Sequence, residues 1–77
     1  MMNGKIPTVQ RDSIYGGLTR QSAYEWLRFL AENAYFEDDV EAAERYTSAA
    51  KHLEHTLDMP GCFMWKELEE AIKAYDR

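Results

Sequence analysis

The sequence predicts an all-α fold, a small three-helix bundle preceded by an irregular N-terminal arm, and three observations carry that prediction. Apolar residues recur at steps of three and four in three separate stretches after residue 21. Capping-box spacings, Ser22 with Glu25 and Asp38 with Glu41, mark two helix starts. Residues 1–21 show neither feature. There Gly4, Pro7, Gly16 and Gly17 interrupt any helical period, with the β-branched Ile6, Thr8, Val9 and Ile14 between them, as in extended chain. The expected organisation is an extended arm over residues 1–21 and a single three-helix domain over 22–77.

The first helix is expected to begin at Thr19 or Ser22, either of which can cap free backbone amides. Its inward stripe is Ala23, Trp26, Leu27, Leu30, Ala31 and Ala34, widened by Phe29, Asn33 and Phe36. Glu37, Asp38 and Asp39 break the pattern, and a second helix is expected from about residue 39. Carboxylates there face the positive end of its dipole. Ala43, Tyr46, Ala50, Leu53 and Leu57 form its inward stripe, with Val40 and Ala49 beside it, and Glu41 stands four residues before Arg45 as a surface pair. Asp58, Met59, Pro60 and Gly61 stop this helix, because proline cannot donate to the helical ladder and glycine is costly inside it. From about Phe63 a third helix turns Met64, Trp65, Leu68, Ala71, Ile72 and Tyr75 inward. Short connections make consecutive helices antiparallel. The expected core is Trp26, Leu27, Leu30, Leu53, Trp65, Leu68 and Ile72.

Residues 32–54, ENAYFEDDVEAAERYTSAAKHLE, resemble the helix pair of a tetratricopeptide repeat, with Tyr35, Ala42, Tyr46 and Ala49 on residue types that family uses to pack its two helices. The turn is about two residues shorter than such a repeat needs, and the chain has no second copy. What the resemblance implies is an antiparallel helical hairpin, which the periodicity also predicts.

A chain of 77 residues buries only about 60% of its unfolded surface, so the core is thin. The single cysteine, Cys62, excludes an intramolecular disulfide, and two histidines offer few metal ligands, which leaves packing against another chain as the expected supplement. No apolar run approaches the roughly 18 to 20 residues that cross a bilayer, and the N-terminus lacks a signal-peptide core. A cytoplasmic protein with no membrane partner is the expectation. Residues 1–21 carry three basic residues against one acidic, while residues 22–77 carry six against thirteen, so the body is more acidic than the net −5 suggests. Direct nucleic-acid binding, which needs a Lys/Arg stripe, is therefore not expected.

Chemistry-bearing residues are few. His52, His55, Asp58 and Cys62 follow one another at spacings of three, three and four, which would suit a metal if the helix continued. Pro60 and Gly61 interrupt it, and no metal or cofactor is expected. Cys62 beside a histidine is the only available nucleophile, and a bundle this small has little wall for a water-excluding pocket, so no enzyme is expected. Gly16 and Gly17 lack the longer phosphate-loop pattern and read as a turn.

The surface remains. Glu37, Asp38, Asp39, Glu41 and Glu44 place five carboxylates in eight residues, and Glu67, Glu69 and Glu70 add three more. Carboxylates on a rigid helix can stand in for phosphates in a basic groove. Ten aromatics exceed what three short helices can sheathe, and Tyr15, Phe29, Phe36 and Phe63 are the expected contacts with another chain. The expected function is a non-enzymatic inhibitor that occupies another protein's basic, nucleic-acid-binding surface. In composition the chain is similar in kind to small phage-encoded antagonists such as anti-CRISPR proteins. The alternative is a self-associating adaptor or ligand-sequestering homo-oligomer, a homodimer through the broad apolar face of the first helix.

Overall fold

The computed structural model describes residues 6–75, so Gly4 and Lys5 of the arm lie outside the described residues. In chain order the elements are β1 (Leu18–Thr19), α1 (Arg20–Phe36), α2 (Val40–Glu54), β2 (Cys62–Phe63) and α3 (Lys66–Tyr75). Three helices around one apolar core form the expected all-α bundle. The only sheet among the described residues is the two-residue pairing of β1 with β2.

Thr19 starts α1. Its backbone is extended and its Oγ1 accepts the Ser22 N–H at 3.1 Å, which satisfies one of the amides a helix start leaves free. Ser22, the other expected cap, is instead a buried residue within the helix. Its hydroxyl donates to the Thr8 carbonyl at 2.8 Å and accepts the Gln10 N–H at 3.1 Å, pinning the arm against α1. At the far end the Glu37 and Asp39 amides donate back to α1 carbonyls, and Asp38 takes the left-handed conformation at φ 61°. Aspartate tolerates that conformation better than most residues. Because Asp38 reverses the chain, the cap of α2 falls to Asp39, whose carboxylate accepts the Ala42 N–H, and not to Asp38 as the capping-box spacing suggests.

Ala34, Ala43 and Ala50 are buried, and these small side chains let α1 and α2 approach closely as an antiparallel hairpin. Attachment of α3 runs through longer side chains. Leu68 and Ile72 enter the core, and Tyr75 lies 5.5 Å from Phe29 and 5.8 Å from Trp26, ring centroid to ring centroid. Asn33 Nδ2 donates to the Tyr75 hydroxyl at 2.7 Å. The fully buried large residues are Leu18, Trp26, Leu27 and Leu68. Each contributes about 1.5–3 kcal/mol by burial, against about 0–1 kcal/mol for an exposed ion pair, so apolar packing dominates.

Several local expectations change. The second helix ends at Glu54 with His55 as its cap, four residues before Asp58, and Thr56 and Leu57 lie in the turn that follows. Phe63 belongs to β2 and not to the third helix, because Leu18 pairs with Phe63 and Thr19 with Cys62 in antiparallel register. Consequently α3 begins at Lys66, and Met64, expected inward, is 72% exposed. The last residues of the arm also enter the core. Arg11 bridges Leu18, the Asp12 carboxylate accepts the Ile14 and Tyr15 amides, and Gly16 turns the chain at φ 82°. A Cβ at Gly17, just before β1, would stand 2.8 Å from the Cys62 sulfur and 2.9 Å from Met64 Cγ, so any larger residue there forces these side chains of the β2 segment to shift.

Candidate protein-interaction surface

The α1–α2 turn is short and held at both ends, which makes its side chains a rigid display. Within it and the first turns of α2, Glu37, Asp38, Asp39, Glu41 and Glu44 are all exposed. Phe36 is 60% exposed and Val40 51%, so this end of the hairpin presents apolar surface among its carboxylates. The expected pair of Glu41 with Arg45 does not form. Arg45 donates to Glu67 of α3 instead, and the ion pairs among the described residues leave Glu41 and Glu44 without a cation. Of the five carboxylates only that of Asp39 accepts a hydrogen bond among the described residues, as the α2 cap, while Glu37 and Asp38 shape the turn through their backbone.

The four aromatic candidates divide. Phe36 belongs to the turn end. Phe29, expected at a contact with another chain, is 7% exposed, because it packs in a three-ring cluster with Trp26 and Tyr75. Phe63 is half-buried in β2, edge-on to Trp65 at 6.3 Å. Tyr15 is exposed in the turn between Arg11 and Leu18, ahead of β1, whereas Phe36 is the last residue of α1, so the two lie on different segments.

Two grooves border α2. One, of about 990 Å³, runs between α1 and α2 past Pro7, Tyr24, Arg28, Tyr35, Lys51 and Glu54, with charges of both signs. On its wall Arg28 donates to the Tyr24 hydroxyl at 3.0 Å and lies 5.7 Å from that ring. The other, of about 790 Å³, lies between α2 and the β2–α3 junction, lined by Glu41, Glu44, Arg45, His52, Phe63 and Trp65. Beneath it Tyr46 meets Trp65 at 6.0 Å, and burial, with Glu67 adding to it, pushes the Tyr46 hydroxyl above its ordinary range, so it stays neutral. Sequence reasoning placed Trp65 wholly in the core and did not identify the second groove. Its signal was present in the α2 face Glu41, Glu44, Ser48 and His52, whose spacings of three and four share one side of a helix.

Elsewhere the chemistry-bearing residues stay apart. Among the described residues no group of three or more His, Cys, Asp or Glu side chains is placed to hold a metal ion. His52 lies on α2, His55 caps it, Asp58 lies in the following turn, and Cys62 is a half-buried free thiol against Gly17. No helix among the described residues is long and apolar enough to cross a membrane. Comparison with protein-family models, curated proteins and solved structures finds no match for the chain.

Proposed function

We propose that this chain is a non-enzymatic, cytoplasmic protein-interaction module that inhibits a partner by occupying its basic, nucleic-acid-binding surface. The observation that supports this reading is the turn end of the hairpin, where exposed Phe36 and Val40 stand among five exposed carboxylates. Carboxylates set on a capped, short turn present negative charge at fixed spacing, as a phosphate run does. Such a field speeds encounter with a basic cleft by about 10- to 1,000-fold and weakens as salt rises. Phe36 supplies the apolar anchor that charge alone lacks. The action resembles that of phage-encoded antagonists such as anti-CRISPR proteins.

Self-association through the broad face of α1 has less support, since Trp26, Phe29, Leu30 and Ala34 are buried within the chain itself. The deciding experiment is crosslinked capture from the native host, followed by association kinetics with the captured protein. Asp38→Lys with Glu41→Lys should slow association at least about tenfold and flatten its salt dependence, while Phe36→Ala should speed dissociation. Unchanged rates in both variants refute the proposal.

A further inference from the structure

The groove between α2 and the β2–α3 junction permits a more specific statement, which rests on the reading of the acidic turn end as a docking surface. We propose that this groove receives an arginine side chain from an extended segment of the partner, with its guanidinium over Trp65 and Phe63 and beside the carboxylates of Glu41 and Glu44.

The floor is aromatic and set in place. Phe63 meets Trp65 edge to face, Tyr46 packs against Trp65 from α2, and Phe63 and Trp65 are both half-buried and line the groove. The wall is a single face of α2 on which Glu41, Glu44, Ser48 and His52 follow one another at helical spacing. Arg45 stands in the same wall, but Glu67 neutralises it from α3. Among the described residues no cation pairs with Glu41 or Glu44, so the two give the groove a net negative charge.

That combination selects its occupant by chemistry. An anion would be repelled, and an apolar side chain would strip water from two carboxylates without replacing its hydrogen bonds. A cation satisfies them. Arginine suits the site better than lysine, because its planar guanidinium is weakly hydrated, stacks on aromatic faces and donates in a fork that carboxylates accept. At about 790 Å³ the groove is larger than one side chain, so residues flanking the arginine lie in it too.

The test uses the full chain and the peptide acetyl-Gly-Arg-Gly-Arg-Gly-amide, followed by the indole N–H resonance of Trp65 in ¹H–¹⁵N spectra. Buried Trp26 serves as the internal control. The expected result is a saturable shift of Trp65 with no shift of Trp26, and binding weakened about tenfold when citrulline replaces both arginines. Glu41→Lys with Glu44→Lys, both at exposed positions, should weaken the arginine peptide about tenfold while the helix content by circular dichroism is retained, the melting temperature falling only by what the lost first-turn carboxylate of Glu41 contributes. Equal binding of the citrulline peptide, or a Trp65 resonance that never moves, overturns the proposal. So does a Trp65 shift on raising protein concentration alone with a doubled mass by light scattering, which would make a second copy the occupant. Phe36→Ala leaves the peptide titration unchanged. Loss of the titration while host capture still depends on Phe36 therefore sinks the groove alone, and the converse sinks the turn end alone.

Discussion

Removing the Ser22 hydroxyl tests how the arm is held to the bundle. Ser22 is 2% exposed, and its Oγ both donates to the Thr8 carbonyl and accepts the Gln10 N–H. In Ser22→Ala both backbone groups lose their partner. A buried group left unsatisfied costs about 1–3 kcal/mol, but Thr8 and Gln10 are themselves exposed and water can replace part of each bond, so the loss should be about 2 kcal/mol in total. In a domain of this size that lowers Tm by about 10 °C. Ser22→Asp separates this role from helix capping. Aspartate is among the best caps, so a capping Ser22 would tolerate it; a pinned, buried Ser22 would not, since a carboxylate there cannot donate to Thr8 and loses its hydration. Urea unfolding followed by circular dichroism gives both free energies, and amide exchange at Gln10 reports the pin directly. A Ser22→Ala protein within about 0.5 kcal/mol of the parent, with Gln10 protection unchanged, refutes the reasoning, as does a Ser22→Asp protein of parental stability.

Two further outcomes follow from the contacts of the arm. Gly17→Ala should destabilise by about 1–3 kcal/mol, since the new Cβ falls 2.8 Å from the Cys62 sulfur, and Cys62→Ala should recover part of that loss in a double-mutant cycle, the absence of coupling counting against the packing described. Glu69 is held below its ordinary carboxyl value of 4.5 chiefly by its hydrogen bond from Arg11, with its charge adding to the effect. Its contribution is therefore present above pH 4.5 and is lost as pH falls through the lowered value. Both side chains are partly exposed, so solvent screening limits this contribution to at most about 1 kcal/mol. The stability difference between the parent and Glu69→Gln should vanish on acidification, and a difference that persists at pH 2 would show that the pair is not its source.

The acidic character of the turn end could be seen in the sequence because charge density needs no folding to be counted, and Glu37 to Glu44 are close in the chain. The groove could not, because Phe63 and Trp65 join Glu41 and Glu44 only when β2 pairs with β1 and turns the chain across α2. Phe29 was misplaced for the same kind of reason: nothing near it in sequence indicates that Tyr75, 46 residues later, covers its ring. Arg45 had an acceptable local partner in Glu41, but such a helical pair is worth only about 0.3–0.5 kcal/mol and a well-placed Glu67 displaces it.

By itself the sequence determined the three helices, the all-α class, the stripe from Ala23 to Ala34 and most of the core, because periodicity and capping act within four residues along the chain. Tertiary structure alone decided that Leu18 is a core residue, that Ser22 holds the arm and not the helix start, and that α3 begins at Lys66. Each of those outcomes depends on partners 12 to 45 residues apart, such as Gln10 with Ser22 and Leu18 with Phe63, and local rules carry no information on which distant surface will meet them.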